Sequence, residues 1–196
     1  INPNDSEAYY NLGNIFNKKS LFDDAVASYK KALAIHPQDA EVFHNLGNTY
    51  ANKGMIDDAI SAYRKAVEIN PNLAESHKSI AYLYKKKGQI SESVSSFEKA
   101  TTFHPKDTNL LFDLASLYES NGLQDNAILT YKKLLSIDPA HKEAKNSLAM
   151  LYNSKGVSLA LQGKTDDAIA AYKDALQNKE DFKEAYNNLG AAYVDK

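Results

Sequence analysis

Five histidines are the first residues to test for chemistry: His36, His44, His77, His104 and His141. A helical metal site needs ligands three or four residues apart, and no two of these are so spaced. His36 and His104 each precede a proline at the same place in a recurring phrase, a loop-surface position. "GVSLA" at Gly156 resembles a nucleophile elbow, but that motif requires a strand-to-helix turn, and this stretch lies in a helical pattern. "SYKK" at Ser28 and "SFEK" at Ser96 have a serine–lysine spacing; both fall at one repeat position and read as solvated helix face. The acid pairs Asp23–Asp24, Asp57–Asp58 and Asp166–Asp167 are periodic too. They read as helix starts, where carboxylates suit the positive end of the helix dipole, and not as acid–base dyads. The chain has no cysteine, which excludes disulfides and thiol chemistry. The expectation is a chain that is not an enzyme, with no catalytic residue, metal ligand or cofactor.

Bulk composition narrows the partners. The 196 residues carry 23 basic and 25 acidic side chains, a net charge of −2, and Arg64 is the only arginine. A nucleic-acid platform needs a basic face, so none is expected. The one dense basic run, "YKKKG" from Tyr84 to Gly88, reads as a solvated helix end. No apolar run approaches the roughly 18 residues of a membrane span, and no signal peptide is visible. A soluble chain, with the cytoplasm favoured, is the corresponding expectation.

The elements that carry these residues follow from the prolines. Pro3, Pro37, Pro71, Pro105 and Pro139 are each 34 residues apart, the mark of a stack of small supersecondary units. Within each period apolar residues recur three and four apart, which predicts two amphipathic helices. In the first unit they span about Glu7 to Lys19 and about Asp23 to Ile35. Small residues recur where helix axes approach: Gly13, Gly47, Ala81, Ala115, Gly156 and Gly190 in the first helix, and Ala25, Ala59, Ser93, Ala127 and Ala168 in the second. Aromatic residues fill the space opposite, among them Tyr29, Tyr63, Phe97, Tyr131 and Tyr172, with Tyr186 and Tyr193 near the end.

This order of aromatic, "LG" or "IA", aromatic, Gly, Ala, aromatic, Ala, Pro resembles the tetratricopeptide repeat over essentially the whole chain. The usual tryptophan is replaced by Tyr9, Phe43, His77 and Leu111. The resemblance implies an all-α fold, a right-handed α-solenoid (superhelix) of helix-turn-helix tetratricopeptide repeats. Its units would be 6–39, 40–73, 74–107 and 108–141, a fifth at 142–182, and the first helix of a sixth at 183–196, with 1–5 the tail of a preceding repeat. An excerpt from a longer array is the expectation.

The fifth unit fits the motif twice. Ala127 to Ala168 spans 41 residues, seven more than the period. Seven residues are almost two turns, so both fits can lie on one helix from about Lys142 to Gln162, roughly 30 Å long. The added turns, "HKEAKNS", are mostly polar and are expected to stand clear of the stack, making a joint between lobes 1–141 and 142–196.

In the resembling family first helices line a concave groove. The residues opposite the packed stripe there are Tyr10, Asn11 and Asn14, then His44, Asn45 and Asn48, then Lys78 and Tyr82, then Phe112. An asparagine amide both donates and accepts, so Asn11, Asn45 and Asn188, in one register, suit an extended peptide main chain. Similar rows line the array of O-linked N-acetylglucosamine transferases; here Ser79, Asp113 and Ser154 break the row. Tyr10, Tyr82 and Phe112 are candidate aromatic anchors. A clamp for carboxylate tails is not expected, since Glu75 would repel it. The function implied is a non-catalytic scaffold binding a protein or peptide partner in the groove. The alternatives are a targeting or substrate-recognition array of a larger enzyme, such as a glycosyltransferase, or self-association through exposed ends.

Overall fold

A computed structural model of the chain describes residues 5–196, so the expected tail at 1–5 lies, but for Asp5, outside them. Among the described residues there are eleven helices and no strand: α1 (Ser6–Lys18), α2 (Phe22–Ile35), α3 (Ala40–Asn52), α4 (Ile56–Ile69), α5 (Ala74–Lys86), α6 (Ile90–Phe103), α7 (Thr108–Ser120), α8 (Gln124–Ile137), α9 (Lys142–Leu161), α10 (Thr165–Asn178) and α11 (Lys183–Val194). They form an all-α solenoid of helix-turn-helix pairs. The chain divides into two compact units at Pro105/Lys106, α1 to α6 in one and α7 to α11 in the other.

Local chemistry sets the helix limits. Asp5, Asp39 and Asp107, at the same repeat position, accept backbone N–H groups of Ala8, Val42 and Leu110 at 2.9 to 3.1 Å. They satisfy donors the helix cannot. Leu73 holds that place before α5 and makes no side-chain cap. α2, α4, α6 and α8 each end two residues before a proline, and the turn inside each pair closes on a left-handed residue. Gly54, Gly88, Gly122 and Gly163 take φ of 72° to 77°, and Ser20 takes 60°. The amide one residue further on then bonds back five residues, as Met55 N does to Tyr50 O at 2.9 Å.

The core is a stack of tyrosines against small residues. A Cβ added at Gly13, Gly47 or Gly156 would lie 2.5 to 2.7 Å from the ring of Tyr29, Tyr63 or Tyr172. Gly190, grouped with them by sequence, has nothing within 4 Å. Tyr186 and Tyr193 are about half exposed, with Lys173 Nζ 5.6 Å over the Tyr193 ring. Another correction concerns Ser28 and Ser96. Both are buried, not solvated, and each hydroxyl donates to the carbonyl four residues back, Asp24 O and Glu92 O, at 2.8 Å.

Acids at the starts of second helices also join neighbouring repeats. Asp23 meets Lys53, and Asp57, Asp125 and Asp166 meet Lys87, Lys155 and Lys196 at 2.6 to 3.0 Å. Each pair is exposed on its acid side, so solvent screens it. Their use lies in showing register.

That register explains the double fit in α9. Toward α8 the helix keeps the 34-residue period: Ala144 and Ala149 are fully buried, Lys132 sits 5.8 Å over the Tyr152 ring, and Lys155 reaches Asp125. Toward α10 it keeps the 41-residue spacing, with Gly156 against Tyr172. One face continues the preceding repeat while another starts the next, two turns (about 10 Å) further along. Residues 141–147 therefore do not stand clear: His141 caps the helix through Ala144 N, and Ala144 is buried. Nor does the chain divide at 141, because α9 packs on both α8 and α10 inside the second unit.

Candidate partner-binding face

In the first unit, α1, α3 and α5 carry the predicted face, and hydrogen bonds bind much of it to the fold. Asn14 Oδ1 accepts the Tyr29 hydroxyl and Asn48 Oδ1 accepts that of Tyr63, both at 2.6 Å. Each tyrosine is buried, so its hydroxyl needs that acceptor. Asn45 donates to the Tyr10 hydroxyl at 3.0 Å and, more weakly, to Asn14 Oδ1 at 3.4 Å. Asn48 Nδ2 in turn reaches Asn45 Oδ1 at 3.4 Å. His44 Nδ1 lies 2.7 Å from Ser76 Oγ, linking α3 to α5. These bonds fix side chains before any ligand arrives. They also commit the carbonyl of Asn14, the carbonyl of Asn48 and the amide of Asn45.

Asn11 is exposed, and with Tyr10 it lines a cleft of about 570 Å³ at the start of α1 and α3. The other walls are Asp5, Ser6, Glu7, His36, Asp39 and Glu41, so the cleft is acidic. Lys78 is partly buried, and Tyr82 is 39% exposed with its ring edge-on to Phe97 at 5.2 Å. Tyr82 holds the place where Asn14 and Asn48 stand. There it meets a phenylalanine, which has no hydroxyl to satisfy.

Electrostatics follow burial. Burial holds the His44 pKa below its usual value, partly offset by Glu75 and Glu41. It does the same for His77, whose ring stacks on Phe103 at 5.7 Å while Nε2 lies 3.0 Å from Pro71 O. His77 thus fills the core in place of the usual tryptophan. Burial, helped by Tyr10, pushes the Tyr29 hydroxyl up to about 12.

In the second unit Phe112 is partly buried, stacked on His141 at 5.2 Å and tilted against Tyr131 at 5.8 Å. Those contacts make it a packing residue of α7 and α8 first. Asn188 Nδ2 donates to Asn153 Oδ1 at 2.9 Å, the same link across 35 residues that joins Asn45 to Tyr10. Three residues of α9 were missed from sequence: Met150, Val157 and Leu161, which are 57%, 39% and 85% exposed. Their signal was present, since both Met150 (34-residue register) and Val157 (41-residue register) align with Asn14 and Asn48.

Nothing in the site assembles reactive groups. "GVSLA" lies within α9, and Ser158 there accepts from Gln162 Nε2 at 3.3 Å. Among the described residues no helix is long and apolar enough to cross a membrane.

Known proteins agree with this architecture. Models of the TPR repeat match residues 13–54 and 156–196, and tetratricopeptide repeat models match 40–73, 74–107 and 108–141. They describe the general repeat and do not single out the transferase array. No match was found among curated proteins. Among solved structures, MamA is similar at 27% identity over 89% of this chain and 92% of that one, with a TM-score of 0.68. YrrB, described as a TPR protein with an unusual peptide-binding site, is similar at 22% identity over 95% and 92%, with a TM-score of 0.66. MamA of Desulfovibrio magneticus RS-1 is similar at 15% identity over 91% and 97%, with a TM-score of 0.64. With repeat models matching residues 13–141 and 156–196 and the glycine–tyrosine core that the repeat demands, the chain belongs to the tetratricopeptide repeat family.

Proposed function

We propose that the chain is a non-catalytic interaction module that holds a partner peptide on the face of its first helices. The carrying observation is the cleft at the start of α1 and α3, where Tyr10 and Asn11 share one wall system. Its groups are pre-set by the Asn45–Tyr10 bond, so little side-chain freedom is lost on binding. Asn11 offers an uncommitted donor and acceptor, and Tyr10 a broad apolar surface with a polar tip. His44, Asn14 and Asn48 shape this face mainly by anchoring it, and Lys78 and Tyr82 extend it along α5. Each amide contact contributes about 1 kcal/mol net, so useful affinity needs several together.

The test is a displayed peptide library panned on the whole chain, followed by affinities for the variant carrying Asn11→Ala and Asn45→Ala. A helical signal equal to wild type with affinity down about tenfold, the loss of one to two such contacts, supports the reading. Selected peptides indifferent to every change on the first-helix face would refute it.

A second reading is association through α11. Tyr193 is 50% exposed, whereas its equivalent Tyr152 is 8% exposed beneath a neighbouring helix. Sedimentation velocity over a concentration series tests it: a constant monomer mass removes it.

A further inference from the structure

We propose that the first-helix face of the second unit is a seat for uncharged, apolar side chains of a bound peptide, formed by Met150, Val157 and Leu161. The proposal rests on the groove reading above and names the class of segment that the second unit takes.

Exposure is the first observation. Leu161 is 85%, Met150 57% and Val157 39% exposed, all on the one helix that serves two registers. Their spacing of seven and four residues puts them on one stripe about 16 Å long. Position is the second. Val157 stands where Asn14 and Asn48 each accept a buried tyrosine hydroxyl, and it offers no such acceptor to Tyr172. Val157 is therefore free of the acceptor role that Asn14 and Asn48 play in the core.

Charge then selects the occupant. From Asn146 to Gln162 the only charged side chain is Lys155, and its ammonium is held by Asp125 at 3.0 Å. A charged group laid on this stripe would lose water and gain no counter-charge. On α11 the exposed rim carries Glu184 and Asn187, the latter beside Asn188, whose amide is committed to Asn153. Asn187 is left to bond a peptide main chain.

Size argues for a short segment over a second copy of the chain. Three side chains at these exposures present on the order of 300 Å² of apolar surface, a patch of the size that often marks a function. A stable dimer buries about 1,200 to 2,000 Å², which this stripe does not supply.

The test uses the whole chain and a displayed random-peptide library, with the selected peptides resynthesised carrying a fluorophore. Affinity is read by polarisation against three variants: Met150→Ser, Val157→Ser and Leu161→Ser combined; Met150→Leu with Val157→Ile; and Asn11→Ala with Lys78→Ala. The expected result is uncharged peptides with two or more apolar side chains, weakened at least about tenfold by the serine variant. The conservative pair should bind like wild type, while the first-unit pair reports separately on the cleft of the groove reading. Peptides that survive the serine changes but weaken with the first-unit pair overturn this proposal and leave the groove reading standing. No enrichment, or indifference to all three variants, overturns both. Selected peptides that are highly charged overturn the apolar assignment. A concentration-dependent mass abolished by the serine changes would make the stripe a self-contact, which also overturns it.

Discussion

Two glycines at one repeat position should respond in opposite directions to the same substitution. In an open helix, Gly→Ala stabilises by about 0.5–1 kcal/mol, because alanine has less backbone freedom to lose. Gly190 is such a place: it is exposed in α11 with nothing within 4 Å of a new methyl group. Gly156 has the same helical benefit, but its methyl would fall 2.5 Å from Tyr172 Cε1 and 2.7 Å from Cδ1. The ring is 3% exposed and cannot swing into solvent. Overpacking of this kind costs about 1–3 kcal/mol, so the net effect at Gly156 is a loss of about 0–2 kcal/mol. Urea unfolding followed by circular dichroism reads the difference as midpoints moving apart, Gly190→Ala upward and Gly156→Ala downward. Repeat arrays need not unfold in one step, so the sign of each shift is a firmer readout than an extrapolated energy. If Gly156→Ala raised the midpoint as Gly190→Ala does, α9 and α10 would not approach closely there. The two-register account of α9 would then fail with it.

Other perturbations follow from the same geometry. Ser20 is left-handed at φ 60° where four other turns use glycine, so Ser20→Gly should raise the thermal midpoint, with about 1 kcal/mol gained from relieved backbone strain. Asn48→Ala should destabilise by about 1 kcal/mol by removing the acceptor of the Tyr63 hydroxyl, which keeps only Ser79 beside it; adding Tyr63→Phe should recover part of that loss, a coupling that a double-mutant cycle in urea would measure. His44 and His77 are held below the ordinary 6.5 by burial, so the unfolded chain takes up their protons first. Their contribution to stability is therefore full above about pH 6.5 and is lost as pH falls through the lower folded values. Urea midpoints between pH 7.5 and 5 should decline less steeply for the double change His44→Gln, His77→Gln, and an unchanged slope would count against the burial account.

The helices were legible because each repeats the same physical problem. A pair of helices can bury its stripe only against the next pair, so the residues at the contact must recur, and Gly13, Gly47 and Gly156 do so against Tyr29, Tyr63 and Tyr172. Spacing alone could not tell which side of α9 obeyed which period, because seven residues return nearly to the same face. The structure separates them by neighbour: Lys155 to Asp125 on one side, Gly156 to Tyr172 on the other. Adjacent residues thus belong to different repeats. That is why a polar stretch such as "HKEAKNS" is buried at Ala144 when composition alone would send it outward.

The candidate face was harder to read, since the same residue type does two jobs there. An asparagine offers one acceptor and one donor, and at Asn14 and Asn48 the acceptor is turned inward to a tyrosine hydroxyl that no periodicity rule announces. Reading sequence at this position therefore requires the partner fifteen residues on. Where that partner is tyrosine, asparagine or Ser116 is accounted for by the core, as Tyr131 pairs with Ser116 at 3.1 Å. Where it is Phe97, the position is released from that duty and carries Tyr82. Val157 breaks the rule, being apolar and 39% exposed opposite Tyr172. An apolar residue that faces solvent on the face its relatives use for core hydrogen bonds is available to something outside the fold. By that criterion Val157, with Met150 and Leu161 beside it on α9, has a stronger claim to a bound partner than the asparagines that first drew the eye.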